Sequence, residues 1–390
     1  MRRYRIGIFG WKSAPVDGGS DTIFRTLHEK ISGHLSNDML EIMEVPWPAW
    51  DRWRQPLWYL RHKISRYFGG VVPPADLRPV CRRFRLDAAY FATPSFAHID
   101  IPFIFSLWDI GHRVVPEFPE MRRGPGDWKQ REALHRQMLA QASFVVTGNN
   151  IGAAEARELF GLNAGQVIAI PFPNPDFSSI RESAPSWMPE RPFFFYPAQG
   201  WPHKNHYTLL KALAVFPNAG KALPDLVFVG SDKGNFPYLK SVAASLRISE
   251  RVHFAGFVSR GEIKALYRRA VALVFPSMLG PNNLPPQEAA SLGCPVIMSD
   301  LPGHREQLGA GAFYVPPLDA QAWGDAMLKL MTNTGFRLDL AARAKAVVAT
   351  YSAEAYISRL TELFSSLVAT RALWGDEQTS RKSHRPGRNN

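Results

Sequence analysis

The chain has two cysteines in 390 residues, Cys81 and Cys294. So sparse a pair cannot staple a small secreted domain, and the reading is a reducing, cytoplasmic setting with Cys294 as an inert core thiol. No apolar run approaches the ~18 residues of a membrane-spanning helix, and the amino terminus offers arginines and a short apolar run, 6–11, interrupted by a glycine. Neither a secretion signal nor a span is expected. Asp-x-Asp is absent, as are His and Cys spacings typical of a zinc site, so no metal or other cofactor is expected. The first strand pattern is not followed by Gly-x-Gly-x-x-Gly, and Gly309-Ala310-Gly311 falls in the wrong place, which argues against a dinucleotide dehydrogenase. Acids are in deficit: 34 Asp and Glu against 46 Lys and Arg leave a net charge of +12. The excess implies an anionic partner. No helix-turn-helix, zinc-finger or RNA-stacking signature accompanies it, so nucleic acid is not expected.

What is present is enough apolar material for two cores, 46% of the residues. Short apolar runs alternate with longer helical patterns throughout, the order of a parallel α/β architecture. Strands are predicted at 5–9, 41–45, 88–92, 103–107, 144–147 and 167–170, then at 192–196, 226–230, 252–254, 272–275, 296–298 and 312–315. The proline-rich stretch between the two sets can continue neither sheet and reads as a linker over 173–191. The expected organisation is a Rossmann-like domain over 1–172, a second over 192–352, a helix over 353–374 and a basic, disordered tail over 375–390.

The most informative stretch runs from Gly280 to Ile297. A turn of small and amide residues, Gly280-Pro281-Asn282-Asn283, opens a helix at about Leu284. Free backbone N–H groups and the positive helix end would face a phosphate, and Glu288, one turn in, could accept ribose hydroxyls. The plainer alternative is that Pro285 and Pro286 start a core helix and that Glu288 is a solvated acid. Earlier, Gln199-Gly200-Trp201-Pro202-His203-Lys204 follows the first strand of the second set, and Gly230 and Gly256-Phe257-Val258 end the next two, where doubly wound sheets bind ligands. In the first half, Gly18-Gly19 lets the backbone approach a ligand. Trp108-Asp109-Ile110-Gly111-His112 follows the fourth strand.

These stretches resemble the retaining GT-B glycosyltransferases of family four, the group 1 type. The resemblance runs over 5–350 and is most specific in the second half. It implies a GT-B fold, two Rossmann-like doubly wound parallel-sheet domains facing a cleft, with the last helix packing back on the first domain. The family pattern of Glu, seven residues and Glu places its second member on Glu288 and its first on Gly280, so Asn282 or Asn283 would replace a carboxylate with amide hydrogen bonds. Lys204 matches the lysine that faces the donor diphosphate, and Gln199 stands at the arginine position. An ammonium there would stabilise the charge that develops as the glycosidic bond breaks. The resemblance also sets Gly18 and Gly19 near the donor phosphates, Gly230, Phe257 and Val258 near the nucleotide, and Asp109 and His112 at the acceptor hydroxyl, with Trp108 where relatives have a first His. The stretch 301–307 would shape the pocket wall.

The activity implied is transfer of a hexosyl group from a nucleotide-sugar donor to a hydroxyl of a lipid-linked or cell-surface glycan precursor, with retention of configuration and without metal. A nucleotide-sugar epimerase or a non-catalytic sugar-nucleotide binder on the same fold are the alternatives. Residues 50–68 interleave Trp50, Trp53 and Trp58 with Arg52, Arg54, Arg61, Lys63 and Arg66, against Asp51. The expectation is a segment that docks on an anionic membrane at the inner face of the plasma membrane; the alternative is a helix packed on its own domain.

Overall fold

The computed structural model describes residues 3–10, 40–45, 71–122, 128–216 and 223–372. Gly18, Gly19, the segment 50–68 and the tail 375–390 lie outside the described residues. The first sheet comprises β1 (Tyr4–Phe9), β2 (Leu40–Glu44), β4 (Ala88–Phe91), β6 (Phe103–Leu107), β7 (Phe144–Thr147) and β8 (Val167–Ala169). A two-residue pair, β3 (Ala75–Asp76) with β5 (Ala97–His98), stands apart from it. The second sheet comprises β9 (Phe193–Pro197), β10 (Asp225–Val229), β11 (Val252–Phe254), β12 (Ala272–Phe275), β13 (Val296–Ser299) and β14 (Phe313–Val315). Each predicted strand is present, with ends moved by a residue or so.

All pairings in both sheets are parallel. Parallel strands covered on both faces must be apolar along their length, and β6, β10, β12 and β13 are buried at every position. Side-chain alternation divides the first domain's interior in two. Ala88, Tyr90 and Ala92 point into one cluster with Ile6, Ile8 and Ile104, while Ala89 and Phe91 point into the other with Phe9, Phe103 and Phe105.

The order of the first sheet is β2-β1-β4-β6-β7-β8 and that of the second β11-β10-β9-β12-β13-β14. In the second, the chain moves outward from β9 to β11 and returns on the other side at β12. The loops leaving β9 and β12 therefore diverge and open a crevice at the carboxyl ends of those strands.

Residues 173–191 are fastened to the second domain. Lys264 Nζ donates to the carbonyls of Phe177 and Ile180, each at 2.7 Å, from a helix, Arg260–Arg269, whose start is fixed by a Ser259–Glu262 capping box. The final helix, Ala353–Ala372, returns to the first domain. Its apolar face, Tyr356, Ile357, Leu360 and Phe364, joins the cluster around Ile6 and Tyr90, and the Tyr356 and Tyr90 hydroxyls meet at 2.7 Å. Among the described residues no helix is long and apolar enough to cross a membrane.

Candidate active site

The crevice beyond β9 and β12 is part of a cavity of about 390 Å³ between the two domains. The first domain lines it with Trp108, Asp109, Met121, Arg131 and Phe172, and the second with Gln199, His203, Lys204, Phe275, Gly280, Asn282, Asn283 and Leu284 among others. Six of the predicted site residues meet there: Asp109, Lys204, Gln199, Asn282, Asn283 and Leu284.

Lys204 ends a short 3-10 turn, Pro202–Lys204, that the fold clamps from several sides. Its carbonyl accepts from the Tyr196 hydroxyl at 2.7 Å, and that of His203 from the Met278 N–H at 2.9 Å. The next residue, Asn205, takes the left-handed conformation, φ 57°, and donates its amide to the carbonyls of Pro276 and Pro317 at 3.2 and 2.7 Å. The loops after β9 and β12 are thus tied together at the base of the cavity. Lys204 Nζ lies 3.3 Å from Asn283 Oδ1 and 5.6 Å from the Phe275 ring centroid. Burial pushes its pKa down to about 8, against the opposing pull of Asp109 and Glu120. Gln199 turns its Oε1 to the Trp201 indole N–H at 2.8 Å.

Gly280 is more than a missing carboxylate. Its φ is +134°, and a Cβ built there would run into the Asn283 amide, so the Asn283 side chain fills the space a larger residue would need. Asn283 is buried and doubly held by Gln307, whose Oε1 accepts from its N–H at 3.3 Å and whose Nε2 donates to its carbonyl at 2.6 Å. This revises the picture of a helix end rich in free N–H groups. Pro285 and Pro286 have none, and that of Asn283 is already taken. Positive charge at this end of the cavity comes chiefly from Lys204. Asn282 abuts Gly148 and Phe172 of the first domain, where a Cβ on Gly148 would collide with it.

On the opposite wall, Asp109 accepts from the Gly111 N–H at 2.8 Å and from Arg131. Burial alone would raise its pKa; Arg131 and the Gly111 N–H outweigh that and hold it at about 2. Trp108 Nε1 is buried without a hydrogen-bond partner among the described residues. His112 faces away from the cavity. Its Nε2 meets Glu132 at 3.1 Å, and its ring lies against His135 and Phe160. It is the second residue of the short Gly111–Val114 helix, and its ring is buried.

Glu288, Gly230, Phe257 and Val258 are outside the lining of this cavity. Glu288 is half-buried, one turn into the Leu284–Ser291 helix; Tyr267 donates to its Oε2 at 2.8 Å, and burial raises its pKa against the pull of Tyr267 and Arg260. Gly230, φ +139°, lets its loop approach the Ala198 carbonyl, which a Cβ would meet at 2.7 Å. Phe257 is 56% exposed beyond β11.

Several residues that carry the geometry had no role assigned from sequence. Glu120 Oε1 accepts from the His203 N–H at 2.9 Å and lies 2.6 Å from its Nδ1, joining the first domain to the turn that bears Lys204. Glu306 accepts from the N–H groups of Asn150 and Ile151 at 2.7 and 2.9 Å. It thereby caps, from the second domain, the first turn of the first domain's Asn150–Phe160 helix, whose own cap Asn149 also bonds across to the Pro281 carbonyl. The 301–307 stretch, expected to shape the pocket wall, does not line the cavity and is instead a clasp between the domains. Only its Glu and amide types hinted at this. Among the described residues no cluster of three or more His, Cys, Asp and Glu is placed to hold a metal ion.

Residues 181–347 match the family model of glycosyl transferases group 1. The match covers the second sheet and runs into the Thr334–Val348 helix. The chain is also 34% identical over 135 residues, 35% of its length, to the O-antigen chain mannosyltransferase RfbU of Salmonella typhimurium, and that alignment spans 37% of the relative's length. Solved structures similar to the whole chain include a sucrose-phosphate synthase from Thermosynechococcus elongatus, with a TM-score of 0.68 at 18% identity over 95% of this chain and 100% of that one. Anabaena HepE in complex with UDP-glucose is similar with a TM-score of 0.66 at 17% identity, over 94% and 100%. The fold is GT-B. The region that matches the model supplies the β9 and β12 loops, and so the Lys204 wall of the cavity.

Proposed function

We propose that the chain is a retaining hexosyltransferase that moves a sugar from a nucleotide-sugar donor to a hydroxyl of a lipid-linked or cell-surface glycan precursor. One observation carries the reading: Lys204 presents a cation to an interdomain cavity and faces a neutral amide, not a carboxylate. A half-buried ammonium bonded to an amide, with the Asp109 and Glu120 carboxylates acting only at longer range, is costly in the empty site and is relieved when a diphosphate enters. As the sugar leaves, charge grows on that diphosphate, and a fixed cation stabilises the transition state more than the ground state. Attack from the same face, assisted by the donor's own phosphate, accounts for retention. The group 1 match over 181–347 supports the transferase class, and the likeness to an O-antigen mannosyltransferase supports a cell-surface glycan. Asp109, held ionised at the first-domain wall, is the candidate acceptor-side group. Glu288 is the candidate ribose acceptor, since ribose hydroxyls could donate to its carboxylate as Tyr267 does. Membrane docking through 50–68 belongs to the same proposal.

A thermal-shift panel of nucleotide sugars tests the reading, since a ligand of the folded state raises stability with the logarithm of its concentration over Kd. The hit is then incubated with lipid-linked glycan extract. Transfer to acceptor with retained anomeric configuration is the expected result. Donor turnover without acceptor would favour an epimerase, and binding without any turnover a non-catalytic binder.

A further inference from the structure

A chain of hydrogen bonds behind Lys204 has its polarity set from one end. The Ser299 carbonyl can only accept, so its 2.8 Å contact places the proton on His304 Nδ1. The ring is fully buried, and burial, opposed by the Ser299 contact, pushes its pKa down to about 4; Lys204 lowers it further and Asp300 works the other way. In the neutral ring Nε2 is then an acceptor, and the group 3.1 Å away must donate, which identifies it as the Asn283 amide nitrogen. Asn283 Oδ1 is left to face Lys204 Nζ, which while charged can only donate. Each member has one permitted sense. Gln307, gripping the Asn283 backbone on both sides, keeps the amide from swinging out of line.

Resting on the glycosyltransferase reading, we propose that His304 is a positioning residue for sugar transfer: as its Nδ1–H tautomer it locks the Asn283 amide with the oxygen toward Lys204. The ammonium is thereby held in the cavity by a neutral acceptor and keeps its whole charge for the donor diphosphate. A reversed amide would turn its NH₂ against the ammonium and drive it out of place; a carboxylate at the same point would neutralise it. His304 touches no substrate in this scheme. It acts through Asn283 on Lys204.

The tautomer is read directly from a two-bond ¹H–¹⁵N correlation spectrum of ¹⁵N-histidine-labelled protein between pH 6 and 8. A neutral Nδ1–H ring, with an Nε2 resonance that moves in Asn283→Ala, is expected; an Nε2–H or charged ring overturns the proposal. The second arm compares wild type, His304→Leu and His304→Gln for binding of UDP, GDP and ADP by calorimetry across pH 6.5–9. His304→Leu should bind the preferred diphosphate about three- to tenfold more weakly, the worth of one hydrogen bond, and lose binding at lower pH as Lys204 deprotonates more readily. His304→Gln, whose Oε1 can still accept from Asn283, should restore both. A folded Leu variant with wild-type affinity and pH profile would overturn the proposal, as would a Gln variant impaired like Leu. If no diphosphate binds even the wild type, the glycosyltransferase reading fails, and the tautomer spectrum alone decides the role of His304.

Discussion

The two walls of the cavity treat charge differently. On the first-domain wall, charges are already paired: Asp109 with Arg131, and behind them Glu132 with Arg113, Arg136 and His112. On the second-domain wall Lys204 meets an amide oxygen and a ring face. The difference separates charges that hold the fold from a charge kept in reserve. A buried carboxylate ringed by cations contributes to a scaffold, and its removal strands those cations. A cation left facing a dipole contributes nothing comparable to the empty protein and becomes favourable when an anion arrives.

The comparison breaks if the Glu132 network can be removed without loss. Arg113 hydrogen-bonds Glu132 at 2.5 Å and lies over the Phe160 ring at 4.2 Å, so Glu132→Ala leaves a mostly buried guanidinium unpaired. A loss of about 3–5 kcal/mol in urea-induced unfolding is expected. Lys204→Met should do the reverse: stability equal to or above wild type, with kcat for the donor lowered about 10²- to 10³-fold and the donor KM changed less. A variant in which KM alone rises would make Lys204 a plain binding contact, and the asymmetry between the walls would lose its meaning.

Acid should sharpen the contrast within the second domain itself. His206 is buried among Tyr196, Phe228 and Phe236 with neither ring nitrogen hydrogen-bonded among the described residues, and burial pushes its pKa down to about 3. Because the folded pKa lies below the unfolded one of ~6.5, the unfolded chain binds the proton first, and stability is lost as pH falls from about 6.5 toward 3. At pH 5 this one ring accounts for about 2 kcal/mol. His206→Phe should flatten the fall in unfolding free energy between pH 7 and 5 by that amount; an unchanged slope would remove the assignment. The smallest effect belongs to the clasp. Glu306→Ala leaves the first-turn N–H groups of Asn150 and Ile151 without their acceptor and should cost about 1 kcal/mol of thermal stability, the worth of a lost cap. An unchanged melting curve would mean that water replaces the carboxylate and that the clasp is incidental.

The fold class was legible because buried parallel strands leave continuous apolar runs, such as Phe103–Leu107 and Ala272–Phe275, bounded by turn residues. The pair of Ala75–Asp76 with Ala97–His98 was not, since two residues carry no period. Lys204, Asp109 and the Gly280–Leu284 turn were found at the cavity because strand ends in a doubly wound sheet converge on its switch point. His112 went to the core, because five residues past the end of β6 the chain has turned and its direction depends on what packs beneath. The stretch holding His304, Glu306 and Gln307 was expected at the pocket wall, but the role of each could not be read, since each acts on a partner brought near by the fold.

By itself, then, the sequence determined two parallel α/β domains and the loops that flank the cleft. These follow from alternation, apolar runs and proline, signals exchanged between residues a few positions apart. The tertiary structure alone decided that Asp109 is neutralised by Arg131, 22 residues on, and that Glu306 caps a helix 156 residues away. It also decided that Asn283 presents its oxygen to Lys204. Hydrogen bonds and ion pairs act within about 3 Å and depend on angle. Which atoms come that close is fixed by the packing of two domains, not by spacing along the chain.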